Sequence, residues 1–492
     1  MLLLVCICLN RDMKGVLIII NKIDRFFNVS ADGSSIRTEV FSGITAYFTM
    51  VYILFLVPNT ILAAFPEAFD ASGEIIKTAI LSNGITAQQM LVSLTMVSCL
   101  TAGIGTFILA LNSNLPFAQG PSLAISTFVS YTICLRMGYT YNEALAAIFI
   151  SGIMFLVITI FGFEKKVQDA IPTNIKFAVT AGIGLFIAFM GMQKAHLVEA
   201  NSLHLVQLVS FSDLTYNTKS AMLCLVGTIL IAVMIIKNVH GAILFGKIIC
   251  IIVAIPMGLV KFKEFNMDFQ NFEVIRSALK MDFIGLFSSH NSYGFLGIIL
   301  SVVVIVSTLC IMDVFETIGT IIATDYIITL SHEGNIMERF HKVLQADAVS
   351  TSIGAAFGIT NVSTYVESTT MALEGGRTGL SGIVTGVLFF LTIFIAPFAS
   401  AVPSAATATT LIMSGILMMN VIKFINFDDI EQALPAFLTM VMMPLTYSLV
   451  TGIALGLISH TLIMMFTGKA RLINKGTYVL AIIFMLQFLM IQ

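Results

Sequence analysis

The chain has 492 residues, of which 58% are hydrophobic and only 11% charged, with a net charge of -2 and a mean hydropathy of +0.98. A soluble domain carries about 25% charged residues, so an ordinary globular protein is excluded. The near-neutral balance and the lack of a long basic run exclude a nucleic-acid partner, leaving a polytopic helical protein whose surroundings are a lipid bilayer.

Residues 1–36 read as a cytoplasmic N-terminal extension, since the head MLLLVCICLN is too short to span and lacks a small-residue cleavage site. A spanning helix needs about 20 apolar residues. Runs of that kind fall near 41–65, 89–111, 115–136, 142–163, 169–193, 220–237, 240–260, 294–324, 343–359, 361–374, 379–399, 404–424, 433–448 and 449–467, fourteen in all. The longest polar joints, about 194–219 and 261–293, suggest a seam between residues 37–293 and 294–468, each holding seven spans. The tail 469–492 is apolar but short, which places it at the cytoplasmic interface. Arg11, Lys14, Lys22, Arg25 and Arg37 precede the first span and Lys469, Arg471 and Lys475 follow the last. With an even number of spans, this bias puts both termini in the cytoplasm of a multi-pass cell (inner) membrane protein.

The third and tenth spans are interrupted, by Asn112-Ser113-Asn114-Leu115-Pro116 with Gly120-Pro121-Ser122, and by Gly358-Ile359-Thr360-Asn361 with Ser363-Thr364. These are the third members of each set of seven. Paired breaks at corresponding positions point to a transporter of inverted repeats whose broken helices meet at a midplane site. AGIGTF and TSIGAA, each about a dozen residues before a break, echo one another.

Two acids fall at membrane depth, Glu316 in STLCIMDVFETIGTIIAT and Glu367 in AAFGITNVSTYVESTTMAL. A carboxylate there costs at least roughly 2.5–3.5 kcal/mol and persists where it faces a cavity, a partner or a ligand. Asp313, Glu316, Thr317, Thr320 and Thr324 follow i, i+3, i+4, i+7, i+11 and form one helical stripe. Glu316 at its centre is favoured as a site residue, while Asp313 and Thr324 read equally well as interhelical hydrogen-bonding groups. Glu367 lies about one turn past the second break, where free N–H groups can steady it; a bare kink-repair role for Ser363, Thr364, Glu367 and Ser368 is the alternative.

Nothing points to a cofactor, a metal or an enzyme. None of the seven histidines has a partner at ligand spacing, the seven cysteines lack CxxC spacing, His332-Glu333 lacks the second His of HExxH, and GxSxG is absent. Met-rich and Gly-rich faces serve both intramolecular and intermolecular packing, which leaves a homodimer open.

RTEVFSGITAYFTMVYILFLVPN, CLTAGIGTFILALNSNLPFAQGP, IMDVFETIGT, ADAVSTSIGAAFG, STYVESTTMALEGGRTGLSGIVTG and PAFLTMVMMPLTYSLVTGIALG, in this order from about residue 25 to the C-terminus, resemble the AzgA-like purine permeases of the nucleobase:cation symporters. The resemblance implies an all-α fold of about fourteen spans in two inverted repeats, core plus gate, importing a purine base (hypoxanthine, guanine or adenine) with a proton. It further implies substrate contacts from Glu316 and Glu367, with Phe117 suited to packing on the base; Thr320, Ser368 and Ser126 read as further substrate contacts from their own positions, and Glu316 and Glu367 as the pair that handles the proton. The chain departs from the family pattern in having Glu316 for Asp, and Ser122, Ala124 and Ser126 where LAPGMGLNA has Gly, Gly and Asn, which alters the pocket edge. A flat base offers adjacent ring donors and acceptors that a carboxylate can meet with two hydrogen bonds. Two carboxylates in one low-dielectric cavity repel, and a shared proton relieves the repulsion. A pyrimidine or xanthine-like load on the same architecture is the other reading. An anion carrier would show a basic residue near the breaks, and none lies between Leu100 and Arg136.

Overall fold

The computed structural model describes residues 21–69, 75–76, 78–82, 84–162, 171–201, 205–237, 239, 242–259, 279–288, 294–331, 339–396, 404–447 and 449–491. The start of the N-terminal extension with Cys6 and Cys8, most of the joint at 261–293, and His332-Glu333 lie outside the described residues.

The first span is α1 (Ile36–Met50) running into α2 (Ile53–Ile61), and the second is α3 (Ala87–Ser113), opened by a capping box between Thr86 and Gln89. The third is an extended strand β1 (Gln119–Pro121) followed by the short α4 (Leu123–Thr127), which widens into a π-wound turn over Phe128–Arg136. Helices α5 (Tyr141–Ile160) and α6 (Thr173–Lys194) are the fourth and fifth spans. A hairpin of β2 (Val198–Asn201) and β3 (Leu205–Leu208) fills the first long joint, ahead of α7 (Tyr216–Ile236) and α8 (Ala242–Ala254).

The second half begins with α9 (Gly294–Ser331), at 38 residues longer than the sequence pattern suggests, and α10 (Phe340–Phe357). The tenth span repeats the form of the third: strand β4 (Val362–Thr364), a tight turn at Val366–Ser368, then α11 (Thr369–Leu373). Helices α12 (Gly379–Thr392), α13 (Ser404–Met418), α14 (Ile430–Thr446) and α15 (Leu449–Phe466) complete the second set of seven. The tail is a helix, α16 (Lys475–Ile491), with Ala481 and Phe484 buried where it packs on α15 and α9. Among the described residues, eight helices are long and apolar enough to cross a membrane, four more are apolar but shorter, and α10 and the broken tenth span bring the spans to fourteen.

Helix packing carries the repeat symmetry. Exchange each span with the one seven places later and the contacts map onto one another. The first packs on the eleventh as the eighth packs on the fourth, and the second on the eleventh as the ninth on the fourth. The sixth packs on the twelfth as the thirteenth on the fifth, and the seventh on the twelfth as the fourteenth on the fifth. Three pairs map onto themselves: second with ninth, third with tenth, fifth with twelfth. Spans one to four with eight to eleven form a core domain, and five to seven with twelve to fourteen form a gate domain. Among the described residues the two touch through the fifth span on the eighth and the seventh on the first, and also where Tyr131 of the third span meets Tyr447 at the end of α14.

Because lipid tails are as apolar as leucine, tight helix contact in a bilayer depends on small residues. In the gate, α6 and α13 cross at Gly184 and Gly415, where a Cβ on Gly184 would stand 2.6 Å from the Gly415 carbonyl oxygen. In the core, the AGIGTF and TSIGAA echo is a matched pair of close approaches. A Cβ on Gly105 would come within 3.0 Å of Val362, and one on Gly354 within 2.8 Å of the same residue. Both repeats therefore use a glycine to bring a helix against the strand of the tenth span.

Candidate functional site

The centre of the core is the crossing of the two broken spans. Pro116 and Pro121 lack an N–H and disfavour helix in the residue before them, so the third span cannot enter as a continuous helix. In the tenth span Gly358, at φ 91°, ends α10 in the left-handed conformation that favours glycine. Extended backbone at membrane depth must then satisfy its own hydrogen bonds. It does so by pairing, β1 antiparallel to β4, with Gln119 opposite Thr364, Gly120 opposite Ser363 and Pro121 opposite Val362.

Side chains lock this crossing. The Ser368 hydroxyl donates to the Ala118 carbonyl at 3.1 Å and accepts from the Ala118 N–H at 3.0 Å. Ser126 reaches the Thr360 hydroxyl at 2.6 Å and donates to the Ser122 carbonyl. Thr320 donates to the carbonyl oxygens of Glu316 and Thr364, both at 3.0 Å, tying α9 to β4. Tyr365 donates its hydroxyl to the Pro121 carbonyl. Ser126, Thr320 and Ser368 are each fully buried, with their hydroxyls bonded to backbone and, for Ser126, also to the Thr360 hydroxyl.

Beneath the crossing lies a second pair of carboxylates. Asp347, on α10, is fully buried and accepts from Gln119 Nε2 and the Thr364 hydroxyl, both at 2.9 Å, from Thr317 at 2.5 Å and from Ser363 at 3.4 Å. Asp313 accepts from Thr351 at 2.7 Å and from Asn361 Nδ2 at 3.0 Å. These donors come from the second-half helices α9 and α10 and from both strand segments, so two acids hold four pieces of chain in register. Every donor named is neutral. Leaving one of these buried donors without its acceptor costs about 1–3 kcal/mol, so the network restrains the crossing.

Glu316 is half-buried on α9 and faces a small cavity with Ala124, Ile125, Val179, Ile183, Met312 and Ile453. Its Oε2 is buried and without a hydrogen-bond partner among the described residues. The wall is split between domains: Ala124, Ile125, Met312 and Glu316 belong to the core, Val179, Ile183 and Ile453 to the gate. The cavity holds about 10 Å³, room for about one water molecule. Glu367 is half-buried at the turn after β4, and its Oε1 accepts from the Tyr52 hydroxyl of the first span at 2.8 Å. Phe117 is fully buried in an apolar cluster with Leu109, Leu115, Phe155, Val314 and Ile318 and is not part of the cavity wall. The structure therefore sets Glu316 on α9 at the cavity wall and Glu367 at the turn after β4, places Thr320, Ser368 and Ser126 in the crossing as ties, and leaves Phe117 outside the cavity wall.

Asp347, Gln119, Tyr52 and Tyr365 were not singled out from sequence. Asp347 had a signal, an acid inside an otherwise spanning run, but its partners come from segments up to 228 residues away. Asp313, read as equally suited to interhelical hydrogen bonding, does that here by bonding to Thr351 of α10 and Asn361 before β4.

Comparison with known proteins agrees with this architecture. The chain is 32% identical to the guanine/hypoxanthine permease PbuG of Bacillus subtilis, over 95% of this chain and 99% of that one. It is 31% identical to the adenine permease AdeP of Escherichia coli, over 96% of each. The transmembrane domain of the cyanobacterium bicarbonate transporter BicA superimposes with a TM-score of 0.55 at 15% identity, covering 85% of this chain and 97% of that domain; at that identity the likeness shows the fold. The chain is thus a multi-pass membrane permease and not an enzyme. With residues 37–455 matching the family model, it belongs to the Permease family.

Proposed function

We propose that the protein imports purine nucleobases, hypoxanthine, guanine or adenine, together with a proton, by alternating access across the cell membrane, with both termini in the cytoplasm. The observation that carries the reading is the placement of two carboxylates, Glu316 and Glu367, beside the crossing of the broken spans. Glu316 keeps a buried oxygen free for a ligand. The purine permeases among the relatives support the choice of load.

In this reading Glu316 binds the base and shares the coupling proton, and Glu367 orients the base. Ser126, Thr320 and Ser368 keep the strand ends in place. Phe117 reaches the base only if the core repacks. A cavity with room for about one water cannot admit a bicyclic base until its core and gate walls separate, which is the motion alternating access requires. Protonation lowers the cost of moving the occupied core past the gate. The test is uptake of labelled hypoxanthine by cells lacking other purine carriers, against a panel of unlabelled purines and pyrimidines, with and without a protonophore. Competition by purines and collapse with the protonophore are expected. Competition by pyrimidines alone, or uptake indifferent to the protonophore, overturns the load or the coupling respectively.

A further inference from the structure

Lys247 lies near the middle of gate helix α8 and is that helix's one charged residue. Its side chain is 4% exposed. The ammonium stands 6.0 Å over the ring of Phe55 in the first span, and Phe245, two residues earlier, stacks on Phe48 at 6.0 Å. This stretch of α8 therefore faces the core. A cation over an aromatic ring recovers only part of the cost of leaving water, and a lysine inside a span is a functional residue whose acidic partner should be sought.

The elements packed on α8 narrow the choice. Helices α7 and α13 contain no acidic residue, and α1 and α2 contain only Glu39, which is occupied in accepting from the Arg377 N–H at 2.8 Å and from the Thr378 N–H. Phe55 lies one helical turn after Tyr52, and the Tyr52 hydroxyl donates to Glu367. Glu367 is thus the acid reached from Lys247 through the first span. No ion pair between described residues involves Lys247.

We propose that Lys247 is the gate-side counter-charge of Glu367, pairing with its carboxylate as the substrate-free core returns past the gate. The proposal rests on the transport reading above. Once base and proton have left, the core must carry an ionised carboxylate back through the bilayer. Sliding of the first span along α8 brings an ammonium to it, and no solute has to supply the charge.

The experiment separates return from translocation. Purified full-length protein in lipid vesicles is assayed for net proton-driven uptake of labelled hypoxanthine, which needs the empty return, and for hypoxanthine exchange, which does not. Lys247→Met should lower net uptake at least about tenfold, as for a carboxylate deprived of its partner at membrane depth, and leave exchange within about twofold, while Lys247→Arg keeps both. Exchange also reports that the variant is folded. A parallel fall in both rates, or no change in either, overturns the proposal. Parent protein that exchanges no purine overturns the transport reading on which it depends.

Discussion

Replacing Asp347 tests whether the buried network, as well as the two acids beside it, sustains transport. Asp347→Ala removes the acceptor of four neutral donors, from Gln119, Thr364, Thr317 and Ser363. Thr317 and Ser363 lie 3.2 Å apart and can turn to each other. Gln119 Nε2 and one threonine hydroxyl are then the groups with least compensation, at about 1–3 kcal/mol each, and the void left by the side chain adds to that. A total of about 3–5 kcal/mol follows, more than about a hundredfold if it falls on the transport-competent geometry.

Asp347→Asn should fare better. The side-chain shape is kept, hydroxyls can reverse their donors, and Gln119 Oε1, without a partner among the described residues, can accept from the new amide if the Gln119 amide rotates. The assay is labelled hypoxanthine uptake normalised to protein in the membrane, paired with thermal unfolding in detergent. The expected order is parent, Asn, then Ala close to background. Ala matching the parent, or Asn and Ala failing equally while both remain folded, would refute the reasoning.

Other substitutions probe single ties. Tyr52→Phe removes the donor to Glu367 and should raise KM about tenfold, from a charged hydrogen bond of about 1.5–3 kcal/mol; unchanged KM across the purines would detach Tyr52 from the site. Gly354→Ala sets a Cβ 2.7 Å from the Thr360 carbonyl, where backbone cannot yield, and should leave little monodisperse protein by size-exclusion chromatography. Ser126→Ala loses hydroxyl bonds to Thr360 and Ser122 and should cost about 1–2 kcal/mol, seen as a lower unfolding temperature with transport retained.

The span pattern was legible because hydropathy and length report directly on what a bilayer requires. The paired breaks were legible because proline and glycine announce them locally. Glu316 and Glu367 stood out for the same reason, as single residues at odds with their surroundings. Asp347 did not, because its meaning depends on Gln119, Thr317, Ser363 and Thr364 arriving from other segments. Phe117 shows the converse: an aromatic beside a break is compatible with a ligand face, and where it lies depends on packing that the sequence does not display, here one buried cluster with Phe155 and Val314. Lys247 was not singled out because a lone lysine in an apolar run does not show which neighbour it faces until the helix is packed against Phe55.

Glu367→Gln in proteoliposomes with an imposed proton gradient tests the central claim most directly. Parent protein should concentrate labelled hypoxanthine, guanine or adenine and lose that ability with a protonophore. The Gln variant, inserted at equal density, should fail to concentrate any of them. Concentration of all three purines by Glu367→Gln at the parental rate would contradict the account.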